Sequence, residues 1–193
     1  MIPHTEEARG VLALRLYGPG ECRSIVERVK GLGAWSVAQV RVEDEGGRHR
    51  NLTNPASRAA HILGSPSARG LYRAFNRKLD SVVKPLIKQF WGVSLSEHDG
   101  TQLIRYGPGG HYSAHSDAGG DLSHRYFSVV CYLNEDFEGG HTSFPPLAYS
   151  AAPRPGKAIV FPSTYLHRAC PVLSGEKFVI VSWVLGPVPV KWI

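Results

Sequence analysis

Two histidines and one aspartate of the sequence have the types and the spacing of a mononuclear metal site. His115 and Asp117 are two residues apart, and residues i and i+2 of a β-strand project from the same face. His167 begins another predicted strand later in the chain, so a barrel could place it opposite the pair. Two histidines and one carboxylate on one face of an octahedron favour non-haem Fe(II) and leave coordination positions open. An isolated His-x-Asp pair more often lies on a polar surface, so the assignment needs further support.

Lys177 is a second candidate for chemistry because it begins an otherwise apolar run, residues 177–184. The run has the composition of a buried strand, and alternation places four of its residues on one face: Lys177, Val179, Val181 and Trp183. A buried ammonium group needs an anionic partner or loses its proton, so a dicarboxylate ligand explains a lysine at this position. The alternative is a lysine at the entrance of the strand whose ammonium group reaches solvent.

Short β-like runs dominate the chain after residue 100. They are rich in β-branched and aromatic residues and are separated by Gly-Pro, Gly-Gly, Pro-Pro and Ser-Gly turns. Six of them are predicted to be strands: residues 101–106, 111–117, 126–134, 157–161, 167–172 and 177–185. Strands of this length and spacing predict a sandwich or a barrel.

The first hundred residues contain the predicted helices. Residues 21–32 and 67–91 have apolar residues at helical spacing, and Pro85 predicts a bend or a restart in the longer helix. Residues 43–54 are polar, contain glycine and predict a mobile loop. Two further runs alternate like strands, residues 11–17 and 36–42.

The second half of the chain resembles the prolyl-4-hydroxylase-like branch of the Fe(II)/2-oxoglutarate dioxygenases. Residues 103–117, LIRYGPGGHYSAHSD, are similar to the Tyr-Gly-x-Gly-x-x-Tyr-x-x-His-x-Asp block of that family. Residues 130–134 resemble its Tyr-Leu-Asn strand, and residues 138–145 resemble its Gly-Gly-x-Thr-x-Phe-Pro turn. His167 and Lys177 match the distal histidine and lysine. The resemblance covers residues 101–185, and its motifs occur in the family's order.

The resemblance implies a mainly β fold with helices (α+β) in a single domain, residues 1–193. Its core would be a double-stranded β-helix, a cupin-like jelly-roll of eight strands, at residues 101–186. Residues 1–100 would supply helical support and a substrate loop.

Site residues follow from the same resemblance, position by position. His115, Asp117 and His167 would ligate iron. Three further residues would join Lys177 in binding 2-oxoglutarate, with the lysine on the C5 carboxylate: Tyr106, Tyr132 and Ser128. Arg125 and Trp183 match positions that line the prime-substrate side. The family more often has an acidic residue where this chain has His141, so no role is assigned to that histidine.

The implied reaction is hydroxylation of an aliphatic C–H bond, with decarboxylation of 2-oxoglutarate to succinate. It uses Fe(II), 2-oxoglutarate and dioxygen, with ascorbate as a candidate reductant. Asp117 favours hydroxylation over halogenation, because halogenating relatives replace this carboxylate by a small residue. The implied hydroxylation leaves several substrate classes to choose from: a prolyl or other amino-acid residue, a free amino acid, or a small metabolite. Two alternatives are a nucleic-acid demethylase of the same superfamily and a non-catalytic jelly-roll that senses a metal or ligand.

Two predictions concern the surroundings of this site. Residues 43–54 lie where relatives carry a mobile loop over the substrate, so we expect a lid that presents Arg48 or Arg50 to an acidic group of the substrate. Tyr112 lies three residues before His115, which gives it opposite parity along a strand. Tyr112 could still face the pocket together with His115, but the opposite parity supports a packing role at least as well.

Composition sets the remaining expectations. The chain has 193 residues and a formal net charge of +6, with basic residues along one face of the long predicted helix. Such a charge run is usually a solvated face, so we do not expect nucleic acid as a partner. No apolar run approaches the roughly 20 residues that cross a bilayer, and the first ten residues do not resemble a signal peptide. We expect a cytoplasmic protein without membrane contact, and the sequence indicates no particular oligomeric state.

Overall fold

The computed structural model describes residues 1–43 and 49–186. Three helices lie in the first half of the chain: α1 (Pro19–Lys30), α2 (Ser65–Lys78) and α3 (Lys84–Trp91). Seven strands precede residue 97: β1 (Thr5–Ala8), β2 (Val11–Arg15), β3 (Trp35–Val37), β4 (Val40–Glu43), β5 (His49–Leu52), β6 (Arg58–Ala59) and β7 (His61–Leu63). Ten follow: β8 (Glu97–Tyr106), β9 (His111–His115), β10 (Arg125–Tyr132), β11 (Phe137–Gly139), β12 (Thr142–Phe144), β13 (Tyr149–Ala151), β14 (Lys157–Pro162), β15 (His167–Ala169), β16 (Val172–Gly175) and β17 (Lys177–Leu185).

Two antiparallel sheets form the body of the molecule. The larger has eight strands in the order β1-β2-β14-β10-β17-β8-β7-β3, and the smaller has five in the order β13-β12-β15-β9-β6. Two short antiparallel pairs accompany them, β11 with β16 and β4 with β5. The strands before residue 100 therefore extend both sheets, in addition to the helical support expected from the sequence.

The larger sheet is buried on both faces, because successive side chains of its central strands point alternately into two hydrophobic clusters. Phe178 and Ile180 of β17 pack against the helices, in a cluster that includes Phe75 and Leu86. Val179, between them in sequence, belongs to the second cluster, which also contains side chains of the smaller sheet. Each fully buried side chain of this size stabilises the fold by about 1.5–3 kcal/mol. The helices thus pack on one face of the larger sheet, while the second cluster joins its other face to the smaller sheet.

The long predicted helix is interrupted close to the predicted position. A π-helical turn, Leu79–Val83, separates α2 from α3, and the backbone N–H of Lys84 donates to the carbonyl of Leu79. Pro85, which has no N–H to donate, stands in the first turn of α3. The helix ends at Gly92, whose φ of 74° closes the last turn. None of the described helices is long and apolar enough to span a membrane.

Three sequence predictions about elements were wrong. Residues 36–42 form parts of two strands, since β3 lies at the edge of the larger sheet and β4 pairs with β5. Residues 43–54 were expected to be a loop, yet β5 lies within them and pairs with β4. Residues 167–172 are divided between β15 and β16, with Pro171 between the two strands.

Candidate active site

The smaller sheet brings the two candidate histidine ligands side by side. His115 ends β9, His167 begins β15, and the two residues are direct cross-strand partners. Their rings lie 4.4 Å apart between centroids. Asp117 follows the end of β9, with its carboxylate oxygens 3.4 Å from His115 Nε2 and 3.5 Å from His167 Nε2. The candidate ligand atoms all lie within 4.8 Å of one another, a spacing that fits one metal ion.

Backbone carbonyls orient both imidazole rings. His115 Nδ1 lies 2.8 Å from the Ser113 carbonyl, and His167 Nδ1 lies 2.9 Å from the Tyr165 carbonyl. A carbonyl accepts a hydrogen bond, so both contacts favour the tautomer with its proton on Nδ1. The Nε2 lone pairs then face Asp117, as metal coordination requires.

Asp117 is held in its charged form. Its backbone N–H donates to the Ser163 carbonyl, and the Ser128 hydroxyl donates to Oδ2 at 2.7 Å. Burial alone would raise the pKa of Asp117, but His167, His115 and the Ser128 hydroxyl together lower it well below its usual range. Burial lowers the pKa of His167, which favours the neutral ring. A charged carboxylate beside a neutral imidazole is the protonation state that metal binding needs.

Tyr112 contacts the site, which is the alternative that strand parity did not favour. Its ring stacks on His115 with centroids 3.6 Å apart and an interplanar angle of 20°. The register between β9 and β15 shifts here, because His115 pairs with His167 and Tyr112 pairs with Ala169. Between these pairs, two residues of β9 (Ser113 and Ala114) oppose one of β15 (Arg168), and this bulge returns Tyr112 to the same side as His115.

Lys177 lies inside the molecule, so the alternative of a lysine reaching solvent was wrong. Its side chain is 1% exposed, and its ammonium nitrogen donates to the Gly140 carbonyl at 2.6 Å. The nitrogen also lies 5.0 Å from the ring centroid of Tyr106 and 5.6 Å from that of Tyr132. Burial lowers the pKa of Lys177 to about 7. A carboxylate brought against this amine would favour its protonated form and replace the lost hydration.

The other residues assigned to 2-oxoglutarate occupy different places around the cavity. Tyr106 lines it directly. Tyr132 donates its hydroxyl hydrogen to Thr142 Oγ1 at 2.7 Å, and Thr142 in turn lines the cavity. Ser128 also lines the cavity, and its hydroxyl is engaged with Asp117 and Ser163. Sequence reasoning missed Thr142 as a site residue, although it stands in the Gly-Gly-x-Thr motif.

A cavity of about 570 Å³ is lined by Lys177 and by the candidate metal triad, which consists of His115, Asp117 and His167. All four residues predicted on one face of β17 line it, namely Lys177, Val179, Val181 and Trp183. The Arg125 guanidinium lies 3.7 Å from the Trp183 ring centroid and donates to Asp99 at 3.1 Å. This stack of cation and ring forms part of the wall beside the metal site.

The β4–β5 hairpin contributes to the cavity through residues that differ from those predicted. Arg41 and Asn51 line the cavity, and Arg41 forms an ion pair with Asp121. Arg50 is exposed and is absent from the described cavity wall, because it alternates with Asn51 along β5. Arg48 lies outside the described residues. Arg58 and Gln102, which the sequence did not single out, also line the cavity.

Comparisons with known proteins agree with this geometry. The family model of the 2OG-Fe(II) oxygenase superfamily matches residues 101–185. A putative prolyl 4-hydroxylase of Acanthamoeba polyphaga mimivirus is 31% identical over 55% of this chain and 54% of its own length. The alpha-1 subunit of chicken (Gallus gallus) prolyl 4-hydroxylase is 27% identical, over 82% of this chain and 33% of that protein. This chain thus spans about half of the first relative and a third of the second.

A PKHD-type hydroxylase of Sphingopyxis alaskensis is 30% identical over 72% of this chain and 67% of its own length. Among solved structures, a Trichoplax adhaerens prolyl hydroxylase in complex with a hypoxia-inducible factor peptide aligns with a TM-score of 0.71 and 15% identity, over 91% of this chain and 83% of that one. A Pseudomonas putida prolyl-4-hydroxylase aligns with a TM-score of 0.65 and 20% identity, over 91% and 92%. These likenesses confirm the predicted double-stranded β-helix fold. The chain therefore belongs to the 2OG-Fe(II) oxygenase superfamily, in its prolyl-4-hydroxylase-like branch.

Proposed function

We propose that this chain is an Fe(II)- and 2-oxoglutarate-dependent dioxygenase that hydroxylates an aliphatic C–H bond of a prolyl or other amino-acid residue, a free amino acid or a small metabolite. One observation carries the proposal: two histidines and a carboxylate converge within 4.8 Å in the same cavity as a buried lysine. The triad has the donor types that Fe(II) takes in such enzymes, and the lysine has the charge that a dicarboxylate needs. The residues present therefore fit both groups.

Each of these side chains has an assigned role in the proposed activity. When bound, iron with dioxygen and 2-oxoglutarate supplies the oxidising power, with release of succinate and carbon dioxide. His115, Asp117 and His167 would hold the metal. Lys177 and Tyr106 would bind the distal carboxylate of 2-oxoglutarate, and Tyr132 fixes Thr142 by a hydrogen bond at the same cavity. Ser128 keeps the Asp117 carboxylate in place.

Apolar side chains of the larger sheet complete the pocket. Ile104, Val179 and Val181 line the cavity between the polar groups and exclude water from the reacting atoms. At the wall formed by Arg125 and Trp183, the indole ring offers an apolar surface on which a substrate ring or chain can pack. The relatives are named prolyl 4-hydroxylases, and one solved neighbour holds a peptide, which supports a prolyl or peptidyl substrate.

The test is mass spectrometry of 2-oxoglutarate turnover with Fe(II) and ascorbate, across candidate prolyl peptides, free amino acids and small acids. We expect succinate to form in step with a product that has gained one oxygen atom. A protein that binds 2-oxoglutarate but forms no succinate with dioxygen would instead be a sensor. Removal of a methyl group from nucleic acid, with salt-dependent retention on DNA, would identify a demethylase.

A further inference from the structure

Arg58 is a buried cation in the cavity that the activity described so far leaves without a role. It belongs to β6, a strand of two residues at the edge of the smaller sheet, where it pairs with Tyr112 of β9. Its side chain is 9% exposed and lines the same cavity as the metal triad. Burying a guanidinium group to this extent is unfavourable unless the group meets an acceptor of matching charge.

The partners of Arg58 within the protein are uncharged. One terminal nitrogen, Nη1, donates to the Gln39 carbonyl at 3.0 Å, and the guanidinium carbon lies 4.7 Å from the Tyr112 ring centroid. The guanidinium also interacts with the neutral Tyr106 side chain. Its Nε is buried and makes no hydrogen bond to the described residues. Two other arginines of the cavity are paired with carboxylates, Arg41 with Asp121 and Arg125 with Asp99. Among the described side chains, no carboxylate forms an ion pair with Arg58.

We propose that Arg58 binds a carboxylate of the prime substrate, so that the substrate class is a carboxylic acid. The inference rests on the proposed function, in which Lys177 is already occupied by the distal carboxylate of 2-oxoglutarate. A planar guanidinium group with free N–H donors suits an oxygen anion better than it suits a neutral group. Of the lysine and arginine side chains that line the cavity among the described residues, Arg58 is the one with neither an ion pair nor an assigned ligand.

The position of Arg58 limits the distance between that carboxylate and the oxidised carbon. Tyr112 lies between the guanidinium and the metal site, 4.7 Å from Arg58 and stacked at 3.6 Å on His115. A carboxylate on Arg58 is therefore only one aromatic ring away from a metal ligand. The C–H bond that reacts lies within a few bonds of the carboxylate, as in a free amino acid or in an acidic side chain next to the oxidised residue of a peptide.

The test measures binding by calorimetry to the anaerobic holoprotein loaded with Fe(II) and 2-oxoglutarate. Two matched pairs of probes differ only in charge: N-acetyl-L-proline with its carboxamide, and the peptide acetyl-Glu-Pro-Gly-amide with its glutamine counterpart. We expect the wild-type protein to bind the acid of at least one pair at least about tenfold more tightly than the amide. The pair that shows the preference identifies a terminal or a side-chain carboxylate.

Arg58→Gln should abolish that preference, and Arg58→Lys should keep part of it. Arg73→Gln, which removes an exposed arginine of α2, is the matched control and should leave the preference intact. The proposal is overturned if the wild-type protein binds acids no better than amides, binds none of the acids, or if Arg58→Gln retains the preference. It is also overturned if Arg58→Gln chiefly weakens the binding of 2-oxoglutarate, since the guanidinium group would then bind the co-substrate. Failure of the proposed function is distinct, because it appears as absence of succinate in the wild-type protein.

Discussion

Asp117 and Lys177 show how burial acts on opposite charges within one cavity. Burial alone would raise the pKa of the Asp117 carboxyl, but the two histidines and Ser128 reverse this effect, so the carboxylate stays charged. Lys177 has only the Gly140 carbonyl as its hydrogen-bond acceptor among the described residues, and burial lowers its pKa to about 7. The Asp117 carboxylate therefore stays charged near neutral pH, whereas the Lys177 amine titrates there.

The titration of Lys177 predicts how 2-oxoglutarate binding depends on pH. Only the protonated amine attracts a carboxylate, so the KM for 2-oxoglutarate should stay level below about pH 7 and rise above it, by up to tenfold per pH unit. Lys177→Arg should remove this rise, because a guanidinium group keeps its proton throughout the range. Steady-state succinate formation between pH 6 and pH 9 gives both profiles. Equal slopes in the two proteins would show that Lys177 does not control binding.

Substitution of single ligands should separate metal binding from co-substrate binding. His115→Ala and Asp117→Ala each remove a metal ligand, so we expect succinate formation to fall at least about 100-fold at any 2-oxoglutarate concentration. Lys177→Ala should chiefly raise the KM for 2-oxoglutarate, because about 2 kcal/mol of binding free energy is lost. It should retain most of kcat when 2-oxoglutarate is saturating. The measurement is kcat and KM for 2-oxoglutarate with Fe(II) in excess. Wild-type turnover by all three variants would contradict the assignment.

At the level of elements, strand alternation decided which site residues could be predicted from the sequence. It placed four residues of β17 on the cavity face correctly, because the extra residue at the register shift between Val181 and Trp183 belongs to β8 and not to β17. It failed for Tyr112, where a bulge in β9 changes the parity. Arg58 was missed because a strand of two residues has no periodicity to detect, and its burial depends on a partner distant in sequence, β9. Bulges and long-range pairing are tertiary features, which local patterns do not encode.

A second irregularity, in β8, positions the wall formed by Arg125 and Trp183. Gly100 has a φ of +61°, and a Cβ there would lie 2.8 Å from Trp183 and 3.6 Å from Arg125 Nη2. Gly100→Ala should therefore displace the Trp183 ring, on which the Arg125 guanidinium lies, and lower kcat/KM for the prime substrate at least about tenfold. Succinate formation without prime substrate should persist, because the triad and Lys177 are untouched.

Gly92→Ala is the matched control for this substitution. Gly92 has a φ of +74° with nothing within 4 Å of the added Cβ, so it carries the backbone strain without the clash. Both variants should lose about 1 kcal/mol of unfolding free energy from the positive φ, measured by urea denaturation. Only Gly100→Ala should lose turnover of the prime substrate. If the two variants behave alike in turnover, the position of Trp183 has no part in catalysis.

On the scale of the whole molecule, the two sheets carry different parts of the site. His115 and His167 belong to the smaller sheet, and Lys177 belongs to the larger one. The second hydrophobic cluster joins the two sheets, and the helices support the larger sheet from its other face. A metal ion alone would be held by ligands at the smaller sheet. A molecule of 2-oxoglutarate that contacts both the metal and Lys177 would connect the two sheets.

This division predicts that metal and 2-oxoglutarate stabilise the fold in a dependent order. Mn(II) alone should raise the unfolding temperature, and 2-oxoglutarate should add a large further increment only when the metal is present. At a ligand concentration 100 times its Kd, each increment is about 2.7 kcal/mol. Lys177→Ala should keep the metal increment and lose most of that of 2-oxoglutarate, whereas His167→Ala should lose both, because the co-substrate then has no metal to chelate. Calorimetric unfolding of each variant with neither, one or both ligands gives the increments relative to its own ligand-free state.

Strong stabilisation by 2-oxoglutarate of the metal-free wild-type protein, undiminished in His167→Ala, would mean that the dicarboxylate binds without bridging the sheets.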